Sequence, residues 1–213
     1  MIALYVGIDP SVNSTGMTIR DDKGFVRFFI VKGGKLTKKE VKAEEENREV
    51  FSYKLYDKTD VSTTETAYHR EMIKAGNLRN IADTVVATIV SVMKEYNANC
   101  TACDEEVDEV YVCMEGISYG SVRSSAVMDL AGLNYLIRDR LINESGITRT
   151  YIAPPAEIKK FATGSGNANK DLMIAAFAGT WPDLTLPKLD DVCDSWFMSR
   201  YAQYKEEQKS GSM

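Results

Sequence analysis

The chain has 213 residues, 44% of them hydrophobic and 27% charged, an ordinary balance for a folded protein and enough length for one well-buried domain. No apolar run approaches the ~20 residues of a membrane-spanning helix, which excludes that class and makes a cytosolic protein the expectation. The net charge of −5 argues against a general nucleic-acid binder, which carries a basic excess, and leaves open a binder with its cations gathered locally.

In chain order, Ile2 to Ile8 is an apolar run ending in Asp9-Pro10, where the proline stops regular pairing. It lacks a basic leader and a small-residue cleavage site, so it reads as a first strand. Gly16 to Arg20 alternates as a second strand, Asp21-Asp22-Lys23-Gly24 turns the chain, and Phe25 to Val31 makes a third, together an antiparallel meander. Gly33 to about Thr66 is the least regular stretch. Within it Lys38 to Glu49 suits a short helix or a mobile flap, and Val50 to Tyr56 suits a further strand. Thr66 to about Asn97 carries Leu78, Ile81, Val85, Val86, Ile89 and Val92 at three- and four-residue spacing, the apolar stripe of a long helix.

The acidic segment Asn97 to Asp108 reads as a surface connection. Val110 to Met114 is short, apolar and β-rich, a buried central strand ending in Glu115-Gly116. After a Gly/Ser-rich loop, Ser124 to Ile142 is helical with apolar residues on more than one face. Thr148 to Ile152 is a strand, and Pro154-Pro155 opens a helix that Gly164-Ser165-Gly166 breaks. Asn169 to Phe177 and Asp190 to about Glu207 are two more helices, and the tail from Ser210 should fray. A meander leading into a β-α-β-α-β run predicts an α/β fold: one domain over 1–213, a mixed sheet flanked by helices, with insertions at about 33–66 and 97–108.

Acidic residues stand out at three places in the chain. Asp9 ends the first strand, Glu115 ends the buried one, and Asp191 and Asp194 lie one turn apart at the head of the last helix, on one face. A carboxylate at the end of a central strand is costly to desolvate unless something compensates it, and a cation is the usual compensation. Hard divalent ions are held by one or two carboxylates each, and a pair of them serves phosphodiester hydrolysis. Taken singly, Asp9 is also a turn former before proline and Asp191 an N-terminal helix charge. Glu115 has no such everyday account.

Other groups are less pointed. Lys32, Lys35, Lys38, Lys39 and Lys42 lie close together, as a solvated loop or as phosphate contacts. Cys100 and Cys103 form a C-x-x-C, but Cys113 sits in a strand pattern and Cys193 in a helical one, so reduced thiols are expected over structural zinc.

Gly7-Ile8-Asp9-Pro10-Ser11 followed by Ser14-Thr15-Gly16 resembles the first-strand signature of RuvC-type Holliday junction resolvases, in the ribonuclease H-like superfamily. Val112-Cys113-Met114-Glu115 is similar to their second motif, Leu189-Asp190-Asp191-Val192-Cys193-Asp194-Ser195 to their last, and Ala168-Asn169-Lys170 to their G-x-x-x-K segment. The likeness runs in the right order along most of the chain. It implies a ribonuclease H-like fold, a homodimer, and a nuclease dependent on two Mg²⁺ or Mn²⁺ ions that makes paired nicks across a four-way DNA junction. It carries metal ligation onto Asp9, Glu115, Asp191 and Asp194, and leaves Lys170 either at the scissile phosphate or on the surface. Tyr119 and Arg123, in the loop after Glu115, would meet junction bases and backbone phosphate, with Lys35, Lys38 and Lys39 as further contacts. Asp190 stands where the family has histidine or a small residue, which leaves open which of Asp190 and Asp191 is the ligand. The expanded loops fit a diverged phage member acting in the cytoplasm of a bacterial or infected cell, an organelle being the other setting. The alternatives are a related nuclease acting on flaps, forks or RNA–DNA hybrids, and a non-catalytic branched-DNA-binding protein. A sugar-kinase or actin-like ATPase also opens on such a strand, but it needs a duplicated domain for which the chain is too short.

Overall fold

The computed structural model describes residues 2–99, 106–117 and 125–210. Strands β1 (Ile2–Asp9), β2 (Thr15–Arg20) and β3 (Val26–Gly33) form the antiparallel meander that the turn residues predict. After them come α1 (Lys38–Glu46), β4 (Phe51–Tyr56) and the long α2 (Ala67–Asn99). The remainder is β5 (Val107–Glu115), α3 (Ser125–Asn143), β6 (Arg149–Ala153), α4 (Pro155–Thr163), α5 (Lys170–Ala178) and α6 (Leu189–Ser210). The irregular stretch after β3 resolves into a helix and a strand. Thr37 caps α1 by accepting from the Glu40 N–H, and the Glu40 carboxylate accepts from the Thr37 N–H at 2.7 Å, a capping box that defines a helix start.

The strands make one sheet in the order β4-β3-β2-β1-β5-β6. Pairing is antiparallel across β1–β2 and β2–β3 and parallel across β3–β4, β1–β5 and β5–β6. Every strand except β2 therefore runs the same way, and the carboxyl ends of β1, β3, β4, β5 and β6 share one edge with the start of β2.

Alternation along the strands divides the side chains between two cores. Leu4, Val6, Ile8, Met17, Ile19, Val110, Val112 and Met114 meet Ile81, Val85 and Ile89 of α2 and Leu133 and Ile137 of α3. Tyr5, Phe28, Ile30, Tyr111 and Cys113 face the other way, onto Val192, Cys193, Trp196 and Phe177 of α6 and α5. Pro155 at the first position of α4 and Gly164 at its end, with a left-handed φ of 81°, bound that helix where the sequence punctuation places them. Among the described residues no helix is long and apolar enough to cross a membrane.

Candidate metal centre

Strand register puts the first two acids side by side. Ile8 stands opposite Met114, so Asp9 and Glu115 follow one residue further along neighbouring parallel strands. Both are at odd positions, in phase with Tyr5, Tyr111 and Cys113, and so belong to the face that α6 covers. The same row continues outward: Asp9 pairs with Gly16, Gly16 with Ile30, Ile30 with Tyr53, and Glu115 with Ala153.

Two glycines bring the third element in. A Cβ on Gly7 would stand 1.8 Å from the Ser195 carbonyl oxygen, and one on Gly16 would stand 2.2 Å from that of Asp191. The backbone of α6 thus rests directly on the backbones of β1 and β2, closer than any side chain permits. A ladder of polar contacts fixes it lengthwise. Ser14 Oγ donates to Asp191 Oδ2 at 2.6 Å, Thr18 and Ser195 share a hydrogen bond of 2.8 Å, and the Arg20 guanidinium reaches Ser199 Oγ at 3.2 Å and Gln203 Oε1. Two residues of strand advance nearly as far as four of helix, roughly 6–7 Å. Positions 16, 18 and 20 therefore meet 191, 195 and 199, and Ser14 reaches the Asp191 carboxylate from beyond Gly16. This fit delivers Asp191 and Asp194, at the head of α6, to the edge where Asp9 and Glu115 end their strands.

The charges register one another. Burial first, then Glu115, Asp194, Asp191 and Asp190, push the Asp9 carboxyl well above the usual carboxylate range. Burial and Asp194 raise Glu115 to about 7, against a partial offset from Lys159. Burial, Asp190 and Asp191 raise Asp194 to about 6, against Lys159 and Lys170. Asp191 is raised by burial although the Ser14 hydrogen bond works the other way. Asp190 differs: burial acts to raise it, but the hydrogen bond from Lys170 prevails and draws it down.

This is a gathering of hard oxygen donors carrying more negative charge than the lysines around it offset, and by donor type and charge it fits Mg²⁺ or Mn²⁺. It is not a finished cage. Among the described residues no three Asp, Glu, His or Cys side chains already stand in ion-holding geometry. The electrostatic coupling and the absence of a ready-made cage agree if the four carboxylates repel one another in the absence of a cation.

Lys170, the first residue of α5, pairs with Asp190 at the same edge. It shares a cavity of about 170 Å³ with Lys159, Met173, Asp190, Cys193 and Asp194. Lys35 follows the carboxyl end of β3 on that edge, two strands over and five residues beyond the row of Asp9, and Lys38 and Lys39 are exposed on the first turn of α1. Lys32 and Lys42 are engaged by Glu40 at 2.7 Å and Glu46 at 3.5 Å. Tyr119, Arg123, Cys100 and Cys103 lie outside the described residues. Cys113 and Cys193 are buried, and burial pushes the Cys113 thiol up to about 12.

Sequence reasoning missed Ser14 and Lys159. Ser14 lies at even spacing from the alternating strand that follows it, a readable signal. Lys159 has none, because only the packing of α4 turns it toward the acids.

No family model matches the sequence, and no curated protein sequence matches it. Among solved structures the chain is similar to Thermus thermophilus RuvC in complex with Holliday junction substrate, at 14% identity and a TM-score of 0.51, over 97% of this chain and 96% of that one. Thermus thermophilus RuvC in a second structure aligns at 15% identity and a TM-score of 0.47, over 93% and 91% of the two chains. The yeast mitochondrial Holliday junction resolvase Ydc2 aligns at 12% and 0.39, over 92% and 76%. The architecture is thus a ribonuclease H-like mixed sheet flanked by helices. Within that class the fold is the one RuvC has.

Proposed function

We propose that the protein is a divalent-metal-dependent endonuclease that resolves four-way DNA junctions by paired phosphodiester hydrolysis, acting as a homodimer. The observation that carries this reading is the convergence of Asp9, Glu115, Asp191 and Asp194, from two strands and a helix, at one sheet edge where the other three raise the affinity of Asp9 for protons and Asp194 raises that of Glu115. The full-length similarity in fold to RuvC, solved with a junction, supports the choice of substrate.

Asp9, Glu115, Asp191 and Asp194 would hold two Mg²⁺ or Mn²⁺ ions, which when bound lower the pKa of water and stabilise a departing 3′ oxygen. The chain's own residues do the rest. The strand ends hold Asp9 and Glu115 rigidly, and the polar ladder of β2 keeps the head of α6 in register with them. Lys170 presents its ammonium to a phosphate oxygen beside the acids. Tyr119 and Arg123, a few residues after Glu115 in the sequence, stack on bases and grip backbone phosphate. Lys35, Lys38 and Lys39 extend the phosphate contacts along the edge.

The outer face of α3 supports the homodimer. Met128, Tyr135 and Ile142, at seven-residue spacing, are 69%, 56% and 79% exposed, and the Arg138 guanidinium lies 5.3 Å from the Tyr135 ring centre. Such an apolar stripe on a helix whose other side is buried suits a twofold partner, and a twofold pair matches a near-symmetric junction.

The test is incubation with an immobile four-way junction, with and without Mg²⁺, beside Asp9→Asn. Wild type should give symmetric ligatable nicks only with the metal, and the variant should bind without cutting. Cleavage of flaps or RNA–DNA hybrids in preference to the junction would move the protein to another substrate class. Equal cutting by wild type and variant would remove Asp9 from the mechanism.

A further inference from the structure

Asp190 and Asp191 are adjacent, and adjacent positions on a helix point about 100° apart. The two side chains share a hydrogen bond, but their other partners differ. Asp191 meets β2: its carbonyl and Cβ lie over Gly16, and its carboxylate accepts a 2.6 Å hydrogen bond from Ser14, whose residue is only 6% exposed. Asp190 turns to α5 and pairs with the Lys170 ammonium. The base of that lysine is itself fixed, because Asn169 caps α5 by accepting from the Leu172 N–H at 3.0 Å.

We propose that these partners sort the tandem aspartates: Ser14 is the positioning residue of Asp191, and Asp190 is the counter-ion that positions Lys170 and does not hold metal. The inference rests on the metal-nuclease reading and assigns roles within it. A buried hydroxyl on one carboxylate oxygen holds that side chain in a single orientation at the Asp9 end of the ladder. An ion pair between α6 and α5 holds the lysine over the same edge, where a mobile ammonium on its flexible stem would lose time elsewhere. A duplex phosphate arriving at the edge replaces Asp190 as the partner of Lys170 without any change in the acids beneath.

Divalent binding and catalysis are measured separately on the full chain. Titrating Mn²⁺ into the DNA-free protein by calorimetry should show Asp191→Asn losing most of the wild-type affinity. Ser14→Ala should bind about five- to tenfold more weakly, the equivalent of one hydrogen bond of ~1 kcal/mol, and Asp190→Asn should stay within about twofold of wild type. On a four-way junction, Asp190→Asn should lower kcat about tenfold with KM unchanged, Asp190→Glu should recover most of that, and Asp190→Asn should add nothing in a Lys170→Ala background. Mn²⁺ affinity lost as fully in Asp190→Asn as in Asp191→Asn would overturn the sorting, as would a full additional loss on Lys170→Ala. Unchanged Mn²⁺ affinity in a folded Ser14→Ala would overturn the role of Ser14. If Asp9→Asn and Asp191→Asn both bind Mn²⁺ like wild type, the metal centre itself fails, a result distinct from either of these.

Discussion

The two faces of the sheet are built on different physics. Toward α2 and α3 the contact is mainly apolar, with Leu4, Val6, Ile8, Val85, Ile89, Leu133 and Ile137 closed off from solvent and Asn134 donating to the Glu115 carbonyl at 2.9 Å. Toward α6 the strands β1 and β2 offer glycine, serine, threonine and arginine, and the helix answers with Ser195, Ser199 and Gln203. Apolar contact is non-directional and tolerates small shifts at modest cost, whereas hydrogen bonds and backbone-to-backbone contact fix a helix to within a fraction of an ångström. Both faces bury an apolar core, but the polar and backbone contacts of the α6 face also set where two carboxylates end up.

The sharpest way to break this comparison is to change one carbon on each face. Gly7→Ala places a Cβ where the Ser195 carbonyl oxygen already is, and α6 must lift off β1. We expect a loss of about 3 kcal/mol or more, read by urea denaturation, together with loss of Mn²⁺ binding in whatever fraction folds. Ile89→Val, a one-carbon change on the opposite face, should cost about 1 kcal/mol and leave Mn²⁺ binding intact. Equal sensitivity of the two faces would end the distinction.

Asp9→Asn separates stability from function. The Asp9 carboxyl is buried among other acids, so its ionisation works against folding when no cation is present. The variant should melt higher than the metal-free wild type while its junction cleavage falls about 10³-fold or more, roughly 4 kcal/mol of transition-state stabilisation. A melting temperature below wild type would show that Asp9 is held by favourable partners and not strained by its neighbours.

Much of this was legible in the chain. The strands ending in Asp9 and Glu115, the three-residue spacing of Asp191 and Asp194, and the proline and glycine stops of α4 all follow from local rules, and the structure has them within one or two residues. What could not be read is registration. Nothing in a linear string says that Ser14 faces Asp191, nor that Lys159 turns toward Glu115. The division of Asp190 from Asp191 was undecidable for the same reason: both are acids at the head of one helix, and only the neighbours differ. The Lys38 to Glu49 stretch was ambiguous because its charge pattern suits a flap as well as a helix, although Thr37 and Glu40 already spelled the cap.

The same acids predict a pH dependence on the α6 face that the apolar face lacks. Glu115 and Asp194 titrate near 7 and 6 in the folded protein, above the ~4 of an unfolded carboxyl. Between those values the folded state binds more protons than the unfolded one, so stability falls as pH rises. Metal-free protein should therefore melt lower at pH 8 than at pH 5, and Mg²⁺ should raise the melting temperature at pH 8 far more than at pH 5. Asp9→Asn should flatten the slope. A melting temperature that rises with pH between 5 and 8 in the absence of metal would mean that the acids are paired with cations.

The smallest effect in stability is expected on the far side of α3, outside both faces of the sheet. Tyr135 is 56% exposed and lies in line with Met128 and Ile142, so replacing it should leave the monomer's fold nearly untouched, within about 0.5 kcal/mol. If the stripe is the twofold contact, Tyr135→Glu sets two like charges against each other across the axis and strips the Arg138 guanidinium of its aromatic partner. The mass in solution, by light scattering, should then fall from dimer to monomer at micromolar concentration. Junction cleavage should change from paired to single nicks, while Mn²⁺ affinity per chain stays as in wild type. That combination separates the sites' chemistry, which each sheet edge holds within one chain, from their pairing, which needs two; a variant that stays dimeric would place the contact elsewhere.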